Sequence, residues 1–182
     1  VSKDIEVQSG SEIDGYSRGG KSLMDYSEMI HKDLIFLNED APDRKTLFRE
    51  VARKLKKAGY VKDSYEKALN LREDKFPTGV VLPELSAMLP HADPVNVNKP
   101  FLAIVKNAQP VRVLQMGYNE PEDATAMFFL GITDPSQQVG LLQLFMDLLQ
   151  DKAFVEKFKS ITDPAVMYQF FVDTFKAQAV DK

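Results

Sequence analysis

Phe76-Pro77-Thr78-Gly79-Val80-Val81-Leu82-Pro83-Glu84-Leu85-Ser86-Ala87-Met88-Leu89-Pro90-His91-Ala92-Asp93 divides this chain into a helical first part and a strand-rich second part. Three prolines and a glycine make the stretch rich in turns. It also carries His91, one of only two histidines in the 182 residues. Proline lacks an N–H and restricts the residue before it, so Leu89-Pro90-His91 is expected to leave a helix or strand and turn. A histidine on such a turn is expected at an edge rather than sealed in a core.

Working upstream, Asp63 is expected to cap a helix from Ser64 to about Glu73, with Tyr65, Ala68, Leu69 and Arg72 spaced along it. Before it, Asp43 is placed to cap a helix running to about Ala58, ended by Gly59. Phe48, Val51, Ala52 and Leu55 recur at i, i+3, i+4 and i+7, so one face packs inward. Met29–Leu37 reads as a strand containing His31. Flanked by Lys32 and Asp33, His31 is expected to be solvated. Residues 1–23 are rich in glycine and serine and poor in apolar residues. They read as a linker, leader or vector-derived segment, with Met24 as a candidate start and 24–182 as the domain.

Downstream, Phe101–Val105 is continuously apolar, as in a strand covered on both faces. Val111–Met116 alternates partly, and Lys106–Pro110 between them is short enough for a hairpin. Ala126–Ile132 is a third apolar run, preceded by the polar loop Asn119–Asp123. Thr133-Asp134-Pro135-Ser136-Gln137-Gln138 has the capping side chain and early proline of a helix start. That helix is predicted to reach about Gln150, with Leu141, Leu142, Phe145, Leu148 and Leu149 on one face. A short helix over Ala153–Lys159 and a last one opened by Asp163-Pro164 follow, the latter with a core stripe of Met167, Phe170 and Phe171. The order of elements predicts a single α/β (α+β) domain, a mixed sheet flanked by helices.

A net charge of −4 argues against nucleic acid as a partner, since phosphate binding needs a basic face. The densest basic run, Lys54, Lys56 and Lys57, falls on the outer face of a predicted helix and reads as solvated surface. The absence of cysteine removes disulfides, thiol catalysis and thiolate metal sites, and fits a reducing compartment. No apolar run is long enough to span a membrane. A soluble, cytoplasmic protein is expected.

The two histidines lack any metal-ligand spacing, and neither a G-x-S-x-G elbow nor a glycine-rich nucleotide loop is present. No metal or cofactor is expected. What remains is a lone histidine in a special setting. A neutral imidazole is nucleophilic and can attack phosphorus to form a phosphoramidate. Such a site needs donors for the phosphoryl oxygens. Arg72 offers a guanidinium, Thr78 a hydroxyl, and Gln137 and Gln138 the free N–H groups of a first helical turn. On the residues alone, His91 is either such a nucleophile or a capped turn histidine.

The ordered set Arg72, Phe76-Pro77-Thr78-Gly79 and Met88-Leu89-Pro90-His91-Ala92-Asp93 resembles the signature of phosphotransferase-system (PTS) IIA domains of the mannitol–fructose superfamily, type 2. Its Phe-Pro-Thr-Gly and Pro-His-x-Asp forms look most like the galactitol branch, and the similarity extends over roughly residues 29–178. The resemblance implies that His91 accepts a phosphoryl group from the phosphocarrier HPr, as a tele-phosphohistidine intermediate. It implies that a IIB component, using a cysteine in the galactitol branch, takes the group onward for sugar uptake through a membrane IIC component. Arg72 matches the family arginine near the phosphoryl group. Mannitol- and fructose-type members carry a second histidine where this chain has Gln138, which can donate a hydrogen bond but carries no charge. Met88, Leu89 and Val95 are the apolar residues expected to meet HPr. A regulatory domain of the same fold, phosphorylated as a signal, is the alternative.

Overall fold

The computed structural model describes residues 25–179, so the segment 1–23 and the candidate start Met24 lie outside the described residues. After a 3-10 turn at Ser27–Met29 come β1 (Ile30–Glu39), α1 (Arg44–Lys57), α2 (Tyr65–Lys75), β2 (Gly79–Val81) and β3 (Ser86–Met88). Then follow β4 (Phe101–Leu114), β5 (Pro121–Gly131), α3 (Gln138–Gln150), α4 (Lys152–Ser160) and α5 (Pro164–Ala179). The strands form one five-stranded mixed sheet in the order β1-β4-β5-β3-β2. β4 runs parallel to β1 and antiparallel to β5, β3 is parallel to β5, and β2 is antiparallel to β3.

The apolar runs of the central strands follow from a sheet covered on both sides. Phe101, Ala103 and Val105 of β4, with Met127 and Phe129 of β5, belong to a core shared with Phe48 and Leu55 of α1 and Tyr65 and Leu69 of α2. Leu102, Ile104, Phe128 and Leu130 point the other way, into a core with Phe145 of α3, Phe158 of α4 and Phe171 of α5. Strand side chains alternate between faces, so a strand buried twice must be apolar at every position. Phe128 is the hub of the second core, with ring centroids 5.0 Å from Phe145 and 5.3 Å from Phe158. Each such fully buried phenylalanine contributes about 1.5–3 kcal/mol of apolar burial.

The predicted hairpin at Lys106–Pro110 is absent. β4 runs unbroken through it, with a register shift against β5 between Lys106 and Val111. The buried Asn107 explains why the chain does not turn there. Its Oδ1 accepts from Ala41 N–H at 2.8 Å and its Nδ2 donates to the carbonyls of Ala41 and Gln109, at 2.9 and 2.7 Å. The side chain thus serves the backbone that the irregularity leaves unpaired. The reversal comes later, over 115–120, where Gly117 and Asn119 take φ of 78° and 53°. Two long strands therefore replace the three predicted.

Asp43 caps α1 as expected, accepting Thr46 N–H at 2.7 Å. Asp63 does not cap α2; Ser64 holds the N-cap position and Asp63 pairs with Lys56 instead. Among the described residues no helix is long and apolar enough to cross a membrane.

Candidate functional site

His91 is not presented at an edge. It retains 5% exposure, because the chain beyond β3 continues alongside β5 instead of turning away. Leu130 N–H donates to the Pro90 carbonyl at 2.9 Å, and His91 forms a parallel bridge with Leu130. Pro90 needs no donor of its own in this arrangement, since it supplies only the acceptor.

The ring is held at one nitrogen and approached at the other. Nδ1 lies 2.8 Å from the Leu89 carbonyl oxygen. A carbonyl can only accept, so Nδ1 carries the proton and, in the neutral ring, Nε2 carries the lone pair. The Gln138 side-chain amide reaches Nε2 at 3.5 Å, a long contact from the first residue of α3. Burial pulls the His91 pKa below its ordinary value, with the Arg72 charge acting the same way; the Leu89 bond and Asp93 oppose them. The neutral, nucleophilic ring is therefore the favoured form near pH 7.

Arg72, in the last turn of α2, donates to Asp93 Oδ1 at 3.2 Å and lies over the Phe76 ring at 5.7 Å. The arginine side chain is 26% exposed and the aspartate 73%, so their pairing is worth only about 0–1 kcal/mol and can be exchanged for a better anion. Arg72 Nε is buried and has no hydrogen-bond partner. Asp93 is steadied by Asn96, whose Nδ2 donates to the Asp93 carbonyl at 3.1 Å while its Oδ1 accepts from Ser64 at 2.7 Å.

The expected donors divide. Gln137 and Gln138 backbone N–H groups are already bonded, to the Asp134 and Pro135 carbonyls, so the Gln138 amide is what this helix start extends toward His91. The Thr78 hydroxyl is buried and engaged by Glu73, with oxygen separations of 2.9 and 3.1 Å. Thr78 N–H also donates to Glu73, at 2.8 Å, and Thr78 Oγ1 accepts from Leu89 N–H at 3.2 Å. Gly79 must be glycine for a local reason. A methyl group there would lie 2.5 Å from the Leu114 carbonyl oxygen and overlap the buried Glu122 carboxylate.

Glu73 is the buried partner of Thr78 that the sequence reading missed. It sits in the polar run Arg72-Glu73-Asp74-Lys75, yet it follows Tyr65 and Leu69 at spacings of four, on the buried stripe of α2, and keeps 3% exposure. That spacing was the available signal. Met88 and Leu89, expected to meet a partner, are fully buried, whereas Val95 is exposed as that expectation requires. Leu71, Phe76 and Val139, beside Arg72 and Gln138 in sequence, are exposed apolar residues as well. His31 is partly shielded, with Nε2 3.0 Å from the Pro100 carbonyl and its ring 4.9 Å from that of Tyr60.

Residues 28–173 match the profile of the family described as phosphoenolpyruvate-dependent sugar phosphotransferase system, EIIA 2. The chain is similar to the galactitol-specific EIIA component of Escherichia coli K12, at 25% identity over 114 residues, 63% of this chain and 76% of that protein. Its fold is similar to that of a IIA protein, PtxA, from Streptococcus mutans (TM-score 0.64, 19% identity, 80% and 90% of the two chains). It is likewise similar to mannitol IIA of E. coli in its complex with phosphorylated mannitol IIB (TM-score 0.60, 20% identity, 80% and 95%). The nitrogen regulatory protein IIA-Ntr of Neisseria meningitidis shares the fold too (TM-score 0.61, 18% identity, 79% and 97%). The chain belongs to the type 2 EIIA family of the phosphoenolpyruvate-dependent sugar phosphotransferase system, and within it is galactitol-like.

Proposed function

We propose that His91 is the phosphoryl acceptor of this domain, receiving the group from phospho-HPr on Nε2 and passing it to a IIB component for sugar uptake. The observation that carries the proposal is the Nδ1–H bond to the Leu89 carbonyl, which leaves the lone pair on Nε2, beside Gln138. In the first transfer, the Nε2 lone pair attacks phosphorus as the donor's bond to phosphorus breaks. The phosphoryl group brings up to two negative charges to a nearly buried position. Arg72 meets them by leaving its weak pairing with Asp93, and the Gln138 amide donates to a phosphoryl oxygen. The ring keeps its Nδ1 proton and so becomes positively charged against the Leu89 carbonyl. A charged ring leaves readily when the nucleophile of the IIB component attacks the same phosphorus from the opposite side.

In this scheme Thr78 acts by position, since its hydroxyl proton is committed to Glu73. Val95 and Val139, 70% and 78% exposed, form part of the surface that partners cover. Placing aspartate at Val139 is expected to slow transfer from HPr.

Incubation with Enzyme I, HPr and phosphoenolpyruvate should label the wild-type protein and leave His91→Ala unlabelled. Phosphorus NMR should place the group on Nε2. A wild-type protein that takes no label, or label that survives in His91→Ala, refutes the proposal. The fold likeness to IIA-Ntr favours one other reading, in which the phosphoryl group on His91 is a signal. Label that forms on His91 but never moves to a cognate IIB would select that reading.

A further inference from the structure

We propose that Glu73 is a positioning residue for His91, fixing which ring nitrogen holds the lone pair through the chain Glu73–Thr78–Leu89–His91. Glu73 touches neither His91 nor the place where a phosphoryl group would sit. Its carboxylate instead gathers both donors of Thr78: the N–H at 2.8 Å and the hydroxyl at 2.9 and 3.1 Å from its two oxygens. A hydroxyl whose proton is fixed on a carboxylate has its lone pairs fixed as well. One of them accepts Leu89 N–H at 3.2 Å, and the Thr78 carbonyl accepts the same N–H at 3.3 Å. Leu89 is thereby held by its N–H, and its carbonyl, at the other end of the residue, receives His91 Nδ1–H at 2.8 Å.

Two further facts fit a built arrangement. Glu73 is 3% exposed and Thr78 also 3%, so no solvent replaces a lost partner. A carboxylate near the C-terminal end of a helix is unfavourably placed against the helix dipole, and burial pushes its pKa up; the Thr78 donors and the Arg44 charge oppose that rise. Its place there against these terms is explained by the two Thr78 donors it accepts, the N–H and the hydroxyl shared between its oxygens. Asp93 and Arg72 act on the charge state of His91, whereas Glu73 acts on its geometry.

The inference concerns His91 as the reactive group and so rests on the function proposed above, but its main readout needs no partner. Nitrogen-15 NMR of the histidine ring in the full chain reports which nitrogen is protonated. Wild type should show a single neutral form protonated at Nδ1. Glu73→Gln removes one acceptor oxygen and frees the Thr78 hydroxyl to reorient, and should give a mixture of both forms. Thr78→Val should behave the same way, and Thr78→Ser, which keeps the hydroxyl, should restore the wild-type spectrum. In the labelling assay the two disruptive variants should accept the phosphoryl group about 10- to 100-fold more slowly, the scale expected when a reacting atom is displaced by an ångström or less. Thermal unfolding of the same samples shows whether each variant is folded. A folded Glu73→Gln or Thr78→Val with an unchanged ring spectrum overturns the inference, as does Thr78→Ser behaving like Thr78→Val. Because the spectrum is read without HPr, a protein that never accepts phosphoryl groups would defeat the proposed function and leave this result readable.

Discussion

Replacing Gly79 by alanine tests whether the Thr-Gly pair is required by packing at the sheet rather than by flexibility. Ordinary contacts begin near 3.4 Å, and the added methyl would stand 2.5 Å from the Leu114 carbonyl oxygen and 3.1 Å from the carbonyl carbon. Both atoms are backbone and cannot rotate aside, so the strands must part by roughly 1 Å in a close-packed interior. Overpacking of this kind costs about 1–3 kcal/mol, and the rigid neighbour argues for the upper half of that range. The Met116 N–H bond to the Gly79 carbonyl, 2.8 Å long, would weaken as the strands separate, for about another 1 kcal/mol. Alanine's smaller unfolded-state entropy offsets about 0.4–1 kcal/mol. The net loss is about 2–3.6 kcal/mol. At about 2–4 °C per kcal/mol for a domain of this size, Tm should drop by roughly 4–14 °C. Urea and thermal unfolding of Gly79→Ala should be compared with Gly117→Ala. Gly117 has a φ of 78° but open space around it, so alanine there meets backbone strain alone, worth about 1–2 kcal/mol. If Gly79→Ala melts within 2 °C of wild type, or above Gly117→Ala, the packing argument is wrong.

Other perturbations probe the site and its supports. Arg72→Lys keeps the charge but loses the planar fork, and phosphoryl acceptance should slow by about tenfold or more; an unchanged rate would mean that Arg72 acts only as a point charge. The His91 ring should titrate with a midpoint below 6.5 by NMR, because burial disfavours its charged form. By linkage the unfolded chain takes up this proton first, so His91 contributes stability above about pH 6.5 that is lost as pH falls toward its folded-state value. A His91 midpoint at or above 6.5 contradicts the burial argument. Lys106 donates to the carbonyls of Phe158 and Ile161, at 2.7 and 2.6 Å, closing the C-terminal end of α4. Lys106→Met should lower stability by about 1–3 kcal/mol, and an unchanged urea midpoint would show that the cap carries no weight.

The parts of this structure that were legible in the sequence are those set by local rules. Asp43 announced its helix because the capping bond reaches only three residues ahead. The unbroken apolar character of Phe101–Val105 and Met127–Leu130 announced a sheet buried on both faces, since each side chain has a core to meet. The resemblance of the ordered set Arg72, Phe76–Gly79 and Met88–Asp93 to a family signature implied one site; in the structure the Gln138 amide lies 3.5 Å from His91, and Arg72 bonds Asp93, two residues beyond His91. Non-local partners were not legible. Lys106–Pro110 reads as a turn, and the bonds that keep it in the strand, Asn107 to Ala41 and Gln109 to Asp40, join residues 66 and 69 apart. His91 looked exposed because Pro90 suggests departure from a strand, while Leu130, which holds the strand on course, is a distant residue. Thr78 has the right chemistry to bind a phosphoryl group. That Glu73, only five residues away, already occupies its hydroxyl was signalled by the buried stripe Tyr65, Leu69 and Glu73 of α2, and the polar run around Glu73 masked it.

The bond from Leu130 N–H to the Pro90 carbonyl has a consequence for motion. Leu130 lies in the middle of the sheet and has no exposure, so the segment bearing His91 is stitched to one of the deepest strands of the fold. Reactive loops commonly open on their own, at small free energies, while the core stays closed. The Leu130–Pro90 bond argues against such an independent opening here. The Leu130 amide should exchange with deuterium only when the whole domain unfolds, and the amide of Leu89 should follow it closely. If that exchange pattern holds, then under the function proposed above a partner would have to bring phosphorus to an imidazole anchored in the sheet.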